Sequence, residues 1–169
     1  KIIRDKKIEY IYHLDAIVSV QESILNPLLS NEVNVKGTLN ILESAKLNNV
    51  KRVIFSSSAA VYGDEPTQPK NENSITKPIS PYGYEKLIGE QYMKLYSELY
   101  GLETVILRYF NVYGEKEFFK NKTASMIVQF GHQILKGQTP KLFEGSDKIL
   151  RDFIYIEDVV QANIKACNP

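Results

Sequence analysis

Three polar side chains that together can remove a proton from an alcohol lie within one stretch of the sequence. Tyr82 and Lys86 are four residues apart at the start of a helix-like segment, and three serines, 56–58, precede them. Residues at i and i+4 share one helix face, with about 5–6 Å between their Cβ atoms. An adjacent ammonium favours the phenolate of a tyrosine that otherwise titrates near pH ~10. We therefore expect Lys86 to lower the pKa of Tyr82 and make it a usable base, with a serine hydroxyl holding the substrate alcohol.

The Tyr-x-x-x-Lys spacing alone has little specificity, because many helices carry a surface lysine after a half-buried tyrosine. The segments around this spacing make the pattern more specific. The serines close the apolar run 52–55, and a second apolar run, 105–107, leads into Arg-Tyr-Phe-Asn-Val-Tyr-Gly at 108–114. Together with Arg-Asp-Phe at 151–153, these segments resemble the extended short-chain dehydrogenase/reductase superfamily, and its nucleotide-sugar epimerases in particular. The resemblance extends from about residue 10 to residue 166.

The composition is typical of a globular enzyme and excludes several other classes. The chain has 169 residues, of which 43% are hydrophobic, and its net charge of +1 gives no basic field for nucleic acid. Cys167 is the single cysteine, so an internal disulfide is excluded. No run is long and apolar enough for a membrane helix or a signal sequence. We expect a cytoplasmic protein that binds neither nucleic acid nor membrane, and we predict no metal site.

Hydrophobic residues recur with two different periods that alternate along the chain. They predict strands at 8–14, 50–56 and 103–109 and helices at 31–48 and 82–100, with Gly101 as the C-cap of the second helix. Strand, helix and strand in repeated order are typical of a parallel sheet covered on both faces. We predict an α/β fold with a Rossmann-like, doubly wound parallel sheet, whose ligands bind at the carboxyl ends of the strands.

The sequence lacks the glycine-rich turn with which such sheets usually begin. Residues 1–5 look like the middle of an element, so we expect the first βαβ unit to belong to an earlier part of a longer protein. We predict that residues 1–115 form the remainder of an NAD(P)-binding Rossmann domain with the catalytic residues. Residues 116–169 are predicted to form an incomplete substrate-binding segment that returns to the sheet. Such a chain is expected to bind its cofactor weakly on its own.

The resemblance implies NAD or NADP as the cofactor. The family loop His-x-Ala-Ala falls on residues 13–16, with Asp15 in place of the usual small residue. A carboxylate repels a pyrophosphate, so either the backbone alone makes this contact or the loop is altered. Asn34 matches a family asparagine near the nicotinamide ribose, and Lys86 is expected to hydrogen-bond the same ribose. The implied cofactor contacts are Leu14, Asp15, Ala16, Ile17, Val18, Asn34, Tyr82, Lys86 and Val112.

Two alanines after the serines narrow the range of reactions that the site can catalyse. The superfamily's dehydratases place an aspartate and a glutamate after the catalytic threonine, whereas this chain has Ala59 and Ala60, whose methyl groups transfer no protons. The decarboxylase pattern, with a glutamate before Val61, is also absent. Epimerisation by oxidation to a ketone and return of the hydride remains, with Ser58 as the catalytic serine. A non-catalytic domain that binds a nucleotide sugar or a protein partner is the alternative from another class.

The sequence resembles two subfamilies that act on different substrates. Segments 18–23, 57–64 and 80–83 resemble UDP-glucose 4-epimerase, whereas segments 117–126 and 141–146 resemble ADP-glyceromanno-heptose 6-epimerase, which acts in lipopolysaccharide biosynthesis. The 4-epimerase uses one tyrosine, but the heptose enzyme is thought to use a tyrosine and a lysine. Lys120 falls at the position of that lysine. We predict the heptose 6-epimerase, with UDP-glucose or UDP-N-acetylglucosamine 4-epimerase as the alternative.

The resemblance also implies contacts with the nucleotide sugar. Arg151 offers a planar fork of donors suited to a diphosphate, and the competing interpretation is a salt bridge with Asp152 or Asp158. Superfamily members usually dimerise through the helix that begins at Tyr82, so we expect a homo-oligomer. The implied substrate contacts are Ser58, Asn111, Lys122, Gln129, Phe143, Glu144, Gly145, Ser146 and Arg151.

Overall fold

The structure, a computed structural model, describes residues 2–117, 124–142, 144–146 and 149–168. The chain forms two compact units. The first consists of Lys1–Arg108 and Asn163–Pro169, and the second of Tyr109–Ala162. No helix within the described ranges combines the length and the apolar character that a membrane crossing needs.

A three-stranded sheet organises the first unit. Its strands are β1 (Tyr10–His13), β2 (Arg52–Ser58) and β3 (Glu103–Tyr109), with β2 in the centre. β1 and β2 are parallel, and their register runs from Tyr10 opposite Arg52 to His13 opposite Phe55. β2 is buried along almost its whole length, as expected for a central strand of a parallel sheet. It ends later than predicted, so the three serines lie within the strand.

Helices connect these strands. α1 (Ile2–Asp5) precedes β1, and α2 (Val20–Leu25), α3 (Pro27–Asn31), a π-helical turn (Glu32–Lys36) and α4 (Gly37–Leu47) lie between β1 and β2. The helix predicted over 31–48 therefore begins earlier, at Pro27, and is interrupted by the π turn. Pro27 occupies the first turn of α3, where its missing N–H costs no hydrogen bond. Within the π turn, the Asn34 carbonyl accepts a hydrogen bond of 2.6 Å from the Thr38 hydroxyl.

The helix that carries Tyr82 is closed at both ends by its own sequence. It is α5 (Pro81–Tyr100), and it follows a short 3₁₀ turn at Ala59–Tyr62. Ser80 is the N-cap, since its hydroxyl accepts a hydrogen bond of 3.1 Å from the N–H of Gly83. Gly101 ends the helix in the left-handed conformation, with φ of 67°, which confirms the predicted C-cap.

The core of the first unit lies between the sheet and helices α4 and α5. Removing these apolar side chains from water stabilises the fold, at about 25 cal/mol per Å² of buried surface. Gly89 lets α5 come close to β2, because a Cβ at this position would lie 2.5 Å from Cζ of Phe55. The core residues are Leu42, Ala45, Val50, Val53, Phe55, Met93, Tyr96 and Leu102.

A buried ion pair fixes β2, α5 and β3 to one another. Glu90 on α5 is 0% exposed, and its carboxylate accepts hydrogen bonds from Nε and Nη2 of Arg108, at 2.9 and 2.7 Å. The Ser57 hydroxyl donates to the same carboxylate at 2.5 Å. The hydrogen bonds with Glu90 are the largest cause of the raised pKa of Arg108. Because a buried carboxylate without partners is costly, the three groups hold the carboxyl end of β2 in place.

The second unit has a smaller sheet. It contains the parallel strands β4 (Asn111–Tyr113) and β5 (Phe153–Tyr155), together with α6 (Met126–Leu135). α7 (Ile156–Cys167) follows β5 directly. The hydrophobic pattern did not predict these two strands, because a run of three residues is too short to show a period.

The first prediction concerns the close approach of α5 to β2. Replacing Gly89 with Ala places a methyl group against the buried Phe55 ring, so we expect a loss of about 1–3 kcal/mol in the free energy of unfolding, measured with urea. Gly37→Ala is the matched control. Its nearest neighbour is a carbonyl at 3.9 Å and its φ of −58° is helical, so a gain of roughly 0.5–1 kcal/mol is expected. A Gly89→Ala protein as stable as the wild type contradicts the proposed packing.

Candidate active site

The carboxyl end of β2 and the first turns of α5 bring three predicted catalytic side chains together. Ser58 is the last residue of β2 and caps the 3₁₀ turn, with its hydroxyl accepting a hydrogen bond of 3.2 Å from the N–H of Ala60. The Ser58 hydroxyl lies near enough to the Tyr82 phenol to act on the pKa of that phenol. Lys86 follows one helical turn after Tyr82, and its Nζ lies 5.8 Å from the centroid of the Tyr82 ring. The expected juxtaposition of serine, tyrosine and lysine is present.

Lys86 is a buried cation that donates a hydrogen bond to a backbone carbonyl. Only 4% of the residue is exposed, and Nζ donates a hydrogen bond of 2.8 Å to the Ser56 carbonyl. Nζ also lies 5.0 Å from the centroid of the Phe55 ring, within the range of a cation–π interaction. Burial lowers the pKa of Lys86 to about 8, against the opposing charges of Glu85 and Asp15. The side chain is therefore predominantly an ammonium at neutral pH.

The environment of Tyr82 corrects one expectation. The sequence predicted that Lys86 lowers the pKa of Tyr82, but burial raises that pKa and the hydrogen bond with Ser58 opposes the rise. The negative charge of Glu85 raises it further. The physical reason is that 8% exposure leaves the phenolate poorly solvated, while Nζ of Lys86 points to the Ser56 carbonyl. These surroundings keep Tyr82 as a phenol at neutral pH.

The loop after β1 lies at the same sheet edge as these residues. His13, at the end of β1, is buried and its Nε2 lies 2.8 Å from the Thr38 hydroxyl. Burial and the charge of Lys86 lower the pKa of His13, while Asp15 raises it. The exposed Asp15 thus acts electrostatically on both His13 and Lys86. The sequence had suggested only a repulsion between Asp15 and a pyrophosphate.

Asn34 holds this loop with its side-chain amide. Its Oδ1 accepts a hydrogen bond of 2.8 Å from the N–H of Ile17, and its Nδ2 donates to the Ile17 carbonyl at 2.9 Å. Nδ2 also donates to the Glu85 carboxylate at 2.6 Å. A direct contact between Asn34 and a ribose stays a prediction. Sequence reasoning missed Glu85, although its position three residues after Tyr82 places both on one helix face.

The predicted residues of the second unit form contacts of their own. The Asn111 amide donates to the carbonyl of Asp152 at 2.7 Å, and the Gln129 amide donates to the carbonyl of Ala124 at 2.6 Å. Val112 is half-buried in β4. Glu144, Gly145 and Arg151 are exposed, and Ser146 is half-buried. Lys120, Lys122 and Phe143 lie outside the described residues. The substrate and cofactor roles of all these residues stay predictions.

The residues of the first unit that would contact a bound dinucleotide lie at one edge of the sheet. Because β1 and β2 are adjacent and parallel, the loop 14–18 and the Ser58–Tyr82–Lys86 group lie at the same edge of the sheet. This is the edge at which doubly wound sheets bind their ligands. The Tyr82 phenol and the Lys86 ammonium lie at this edge as well. The chain offers no glycine-rich turn for the pyrophosphate.

The chain belongs to the NAD dependent epimerase/dehydratase family, whose family model matches residues 1–169. A putative UDP-glucose 4-epimerase of Methanocaldococcus jannaschii is 43% identical over 167 residues, covering 98% of this chain and 54% of that protein. The chain thus spans about half the length of the curated relatives it matches.

Two solved structures have the same fold. The UDP-N-acetylglucosamine 4-epimerase of Methanobrevibacter ruminantium M1, in complex with UDP-N-acetylmuramic acid, has a TM-score of 0.90 and 42% identity, and the match covers 96% of this chain and 52% of that one. The ADP-L-glycero-D-manno-heptose-6-epimerase of Helicobacter pylori has a TM-score of 0.85 and 38% identity, covering 97% and 51%. These likenesses confirm the superfamily resemblance and the Rossmann-like α/β fold.

The second prediction tests the buried ammonium of Lys86. The unfolded chain holds this proton up to about pH 10.5, whereas the folded chain releases it near pH 8. At this group the unfolded state therefore binds more protons between these values, so the contribution of Lys86 to stability rises with pH there. Relative to a Lys86→Met variant, the wild type should gain roughly 2–3 kcal/mol between pH 8 and pH 10.5, and below pH 8 the difference should be constant.

Urea unfolding of both proteins at a series of pH values measures this difference. Lys94→Met, at an exposed lysine of the same helix, is the matched control for loss of a lysine charge. If the difference between wild type and Lys86→Met does not change from pH 8 to pH 10, Lys86 is not buried as an ammonium.

Proposed function

We propose that the protein is an NAD-dependent nucleotide-sugar epimerase that inverts C4 of a UDP-hexose. The observation that carries the proposal is the group formed by Ser58, Tyr82 and Lys86 at the carboxyl end of β2. The alanines 59 and 60 supply no second acid or base for dehydration. The likeness to a putative UDP-glucose 4-epimerase and to a UDP-N-acetylglucosamine 4-epimerase supports the sugar class.

The chain's own residues would move the proton in this reaction. NAD, when bound, accepts a hydride from the sugar carbon and returns it. The Ser58 hydroxyl, which lies near Tyr82, would orient the reacting sugar hydroxyl towards the phenol oxygen. Tyr82, as the phenolate, would take that proton and become a neutral phenol, and it would give the proton back when the hydride returns. The Lys86 ammonium, held by the Ser56 carbonyl, would stabilise the phenolate that must be present before the transfer.

A second candidate is the ADP-glycero-manno-heptose 6-epimerase that the sequence favoured. Its support is the 38% identity to the Helicobacter pylori enzyme and the segments 117–126 and 141–146. Two observations place it second. The 4-epimerase neighbour is more similar in both identity and TM-score. The distinguishing base of this mechanism, Lys120, lies outside the described residues, so no geometry supports it.

We also propose that the protein works as a homo-oligomer. The exposed side of α5 carries Tyr84, Ile88 and Leu95, which are 55%, 37% and 42% exposed. Contact with a second copy would remove this apolar surface from water. Size-exclusion chromatography with light scattering measures the mass in solution.

The third prediction separates an epimerase from a non-catalytic nucleotide-sugar-binding domain. Tyr82→Phe removes the proton acceptor and keeps the ring, so turnover should fall at least 100-fold with little change in the melting temperature. The matched control is Tyr100→Phe, at an exposed tyrosine of the same helix, which should keep wild-type activity. The protein as its gene encodes it is used throughout.

Proton NMR of the sugar measures the product after incubation with UDP-glucose, UDP-N-acetylglucosamine or ADP-glycero-manno-heptose. Inversion at C4 of either UDP-sugar supports the proposal. Inversion only at C6 of the heptose supports the second candidate and makes Lys120 the next residue to replace. Sugar binding without turnover by the wild type would identify the non-catalytic alternative. Full activity in Tyr82→Phe would falsify the mechanism.

A further inference from the structure

Glu85 is a buried carboxylate in the middle of the candidate site. It is 4% exposed and directly precedes Lys86 in α5. Its Oε2 accepts hydrogen bonds from the Ser30 hydroxyl at 2.7 Å and from Nδ2 of Asn34 at 2.6 Å. Burying a carboxylate costs free energy unless donors are fixed around it, so this arrangement requires α3 and the π turn to stay against α5. The proton-transfer steps proposed above give Glu85 no role.

The contacts continue from Glu85 into the loop after β1. Asn34 uses the same Nδ2 that bonds Glu85 to hold the carbonyl of Ile17, and its Oδ1 holds the N–H of Ile17. Both backbone groups of one loop residue are thus paired with one side chain. The position of Ile17 is thereby tied to α5 through two side chains. Ile17 lies in the loop 14–18, which also carries Asp15.

We propose that Glu85 is a positioning residue, which fixes the loop 14–18 against the helix of Tyr82 and Lys86 and supplies a negative charge beside both. The inference rests on the proposed function, since it assumes that the loop 14–18 contacts the dinucleotide. Glu85 itself touches neither the substrate nor the cofactor in this proposal. It acts through Asn34 on the loop and through its charge on the two reacting side chains.

The charges around Lys86 support the electrostatic part. On α5 the neighbouring groups are Tyr82 and Glu85, the loop contributes Asp15, and β1 contributes His13. Burial lowers the pKa of Lys86, while Glu85 and Asp15 raise it. Glu85 also raises the pKa of Tyr82, which burial has already raised. Removing the Glu85 charge should therefore lower the pKa of both groups.

Two variants separate the charge from the hydrogen bonds. Glu85→Gln keeps the shape of the side chain and one acceptor oxygen but removes the charge. Ser30→Ala keeps the charge and removes one donor to Glu85. Glu98→Gln, an exposed glutamate of the same helix, is the matched control.

The first readout is the titration of the lysine ¹³Cε signal by NMR, assigned by its loss in Lys86→Met. Glu85→Gln should lower the midpoint of Lys86 by about one pH unit, whereas Ser30→Ala and Glu98→Gln should leave it unchanged. This readout needs no turnover, so it still decides the proposal if the protein proves inactive on every sugar. An unchanged midpoint in Glu85→Gln overturns the electrostatic role.

The second readout is NADH binding, measured by the fluorescence of the nicotinamide. Both variants should weaken binding roughly tenfold, because Glu85→Gln replaces two charge-assisted hydrogen bonds with weaker neutral ones and Ser30→Ala removes one of the two donors. Wild-type affinity in both variants overturns the positioning role. If Glu85→Gln does not fold, Ser30→Ala decides this point alone.

Where the protein is active, the pH profile of kcat gives a third readout. Both limbs of the profile should move to lower pH in Glu85→Gln, since Lys86 and Tyr82 shift in the same direction. A structural role alone would lower the maximum without moving either limb. Limbs that stay in place in a folded, active variant overturn the proposal.

Discussion

The burial of one ammonium group organises the first unit of this protein. Lys86 is removed from water at the carboxyl end of the central strand, where its Nζ has the Ser56 carbonyl and the Phe55 ring for partners. Burying an isolated cation costs free energy. The lowering of the Lys86 pKa to about 8 reflects the part of this cost that its partners do not offset. Contacts that do not involve Lys86 must therefore hold the helices and strands of the site together. Two carboxylates of α5, Glu85 and Glu90, make those contacts.

Each of the two glutamates fixes a different side of the helix. Glu90 binds Arg108 and Ser57 and so holds α5 to β2 and β3. Glu85 binds Ser30 and Asn34 and so holds α5 to the helical segment before β2. Gly89 lies between them in the sequence, and its lack of a side chain lets α5 come close to the Phe55 ring on β2. With the helix fixed on both sides, the spacing of Tyr82 and Lys86 becomes a fixed arrangement in space, as an active site needs.

The sequence predicted much of this arrangement because the strongest patterns are local. The Tyr82–Lys86 spacing, the end of α5 at Gly101 and the β3 strand at Glu103–Tyr109 all follow from residues within a few positions of one another. The π turn at Glu32–Lys36 could not be predicted in this way, because the Asn34 side chain within it bonds Ile17 and Glu85, which are 17 and 51 residues away. The prediction that the pKa of Tyr82 is lowered was wrong for a related reason. Helix spacing showed that Lys86 is near, but burial, which outweighs it, depends on the whole fold.

The two pKa shifts have a consequence for how the site can work. Burial lowers the pKa of Lys86 and raises that of Tyr82, so on alkaline titration the ammonium loses its proton before the phenol does. Among the residues that the structure describes, none therefore ionises Tyr82 near neutral pH. A base of this kind becomes active only when further positive charge or further hydrogen-bond donors enter the pocket with a ligand. Proton removal would then depend on ligand binding, and the negative charge of Glu85, which opposes ionisation of Tyr82 while keeping Lys86 protonated, strengthens that dependence.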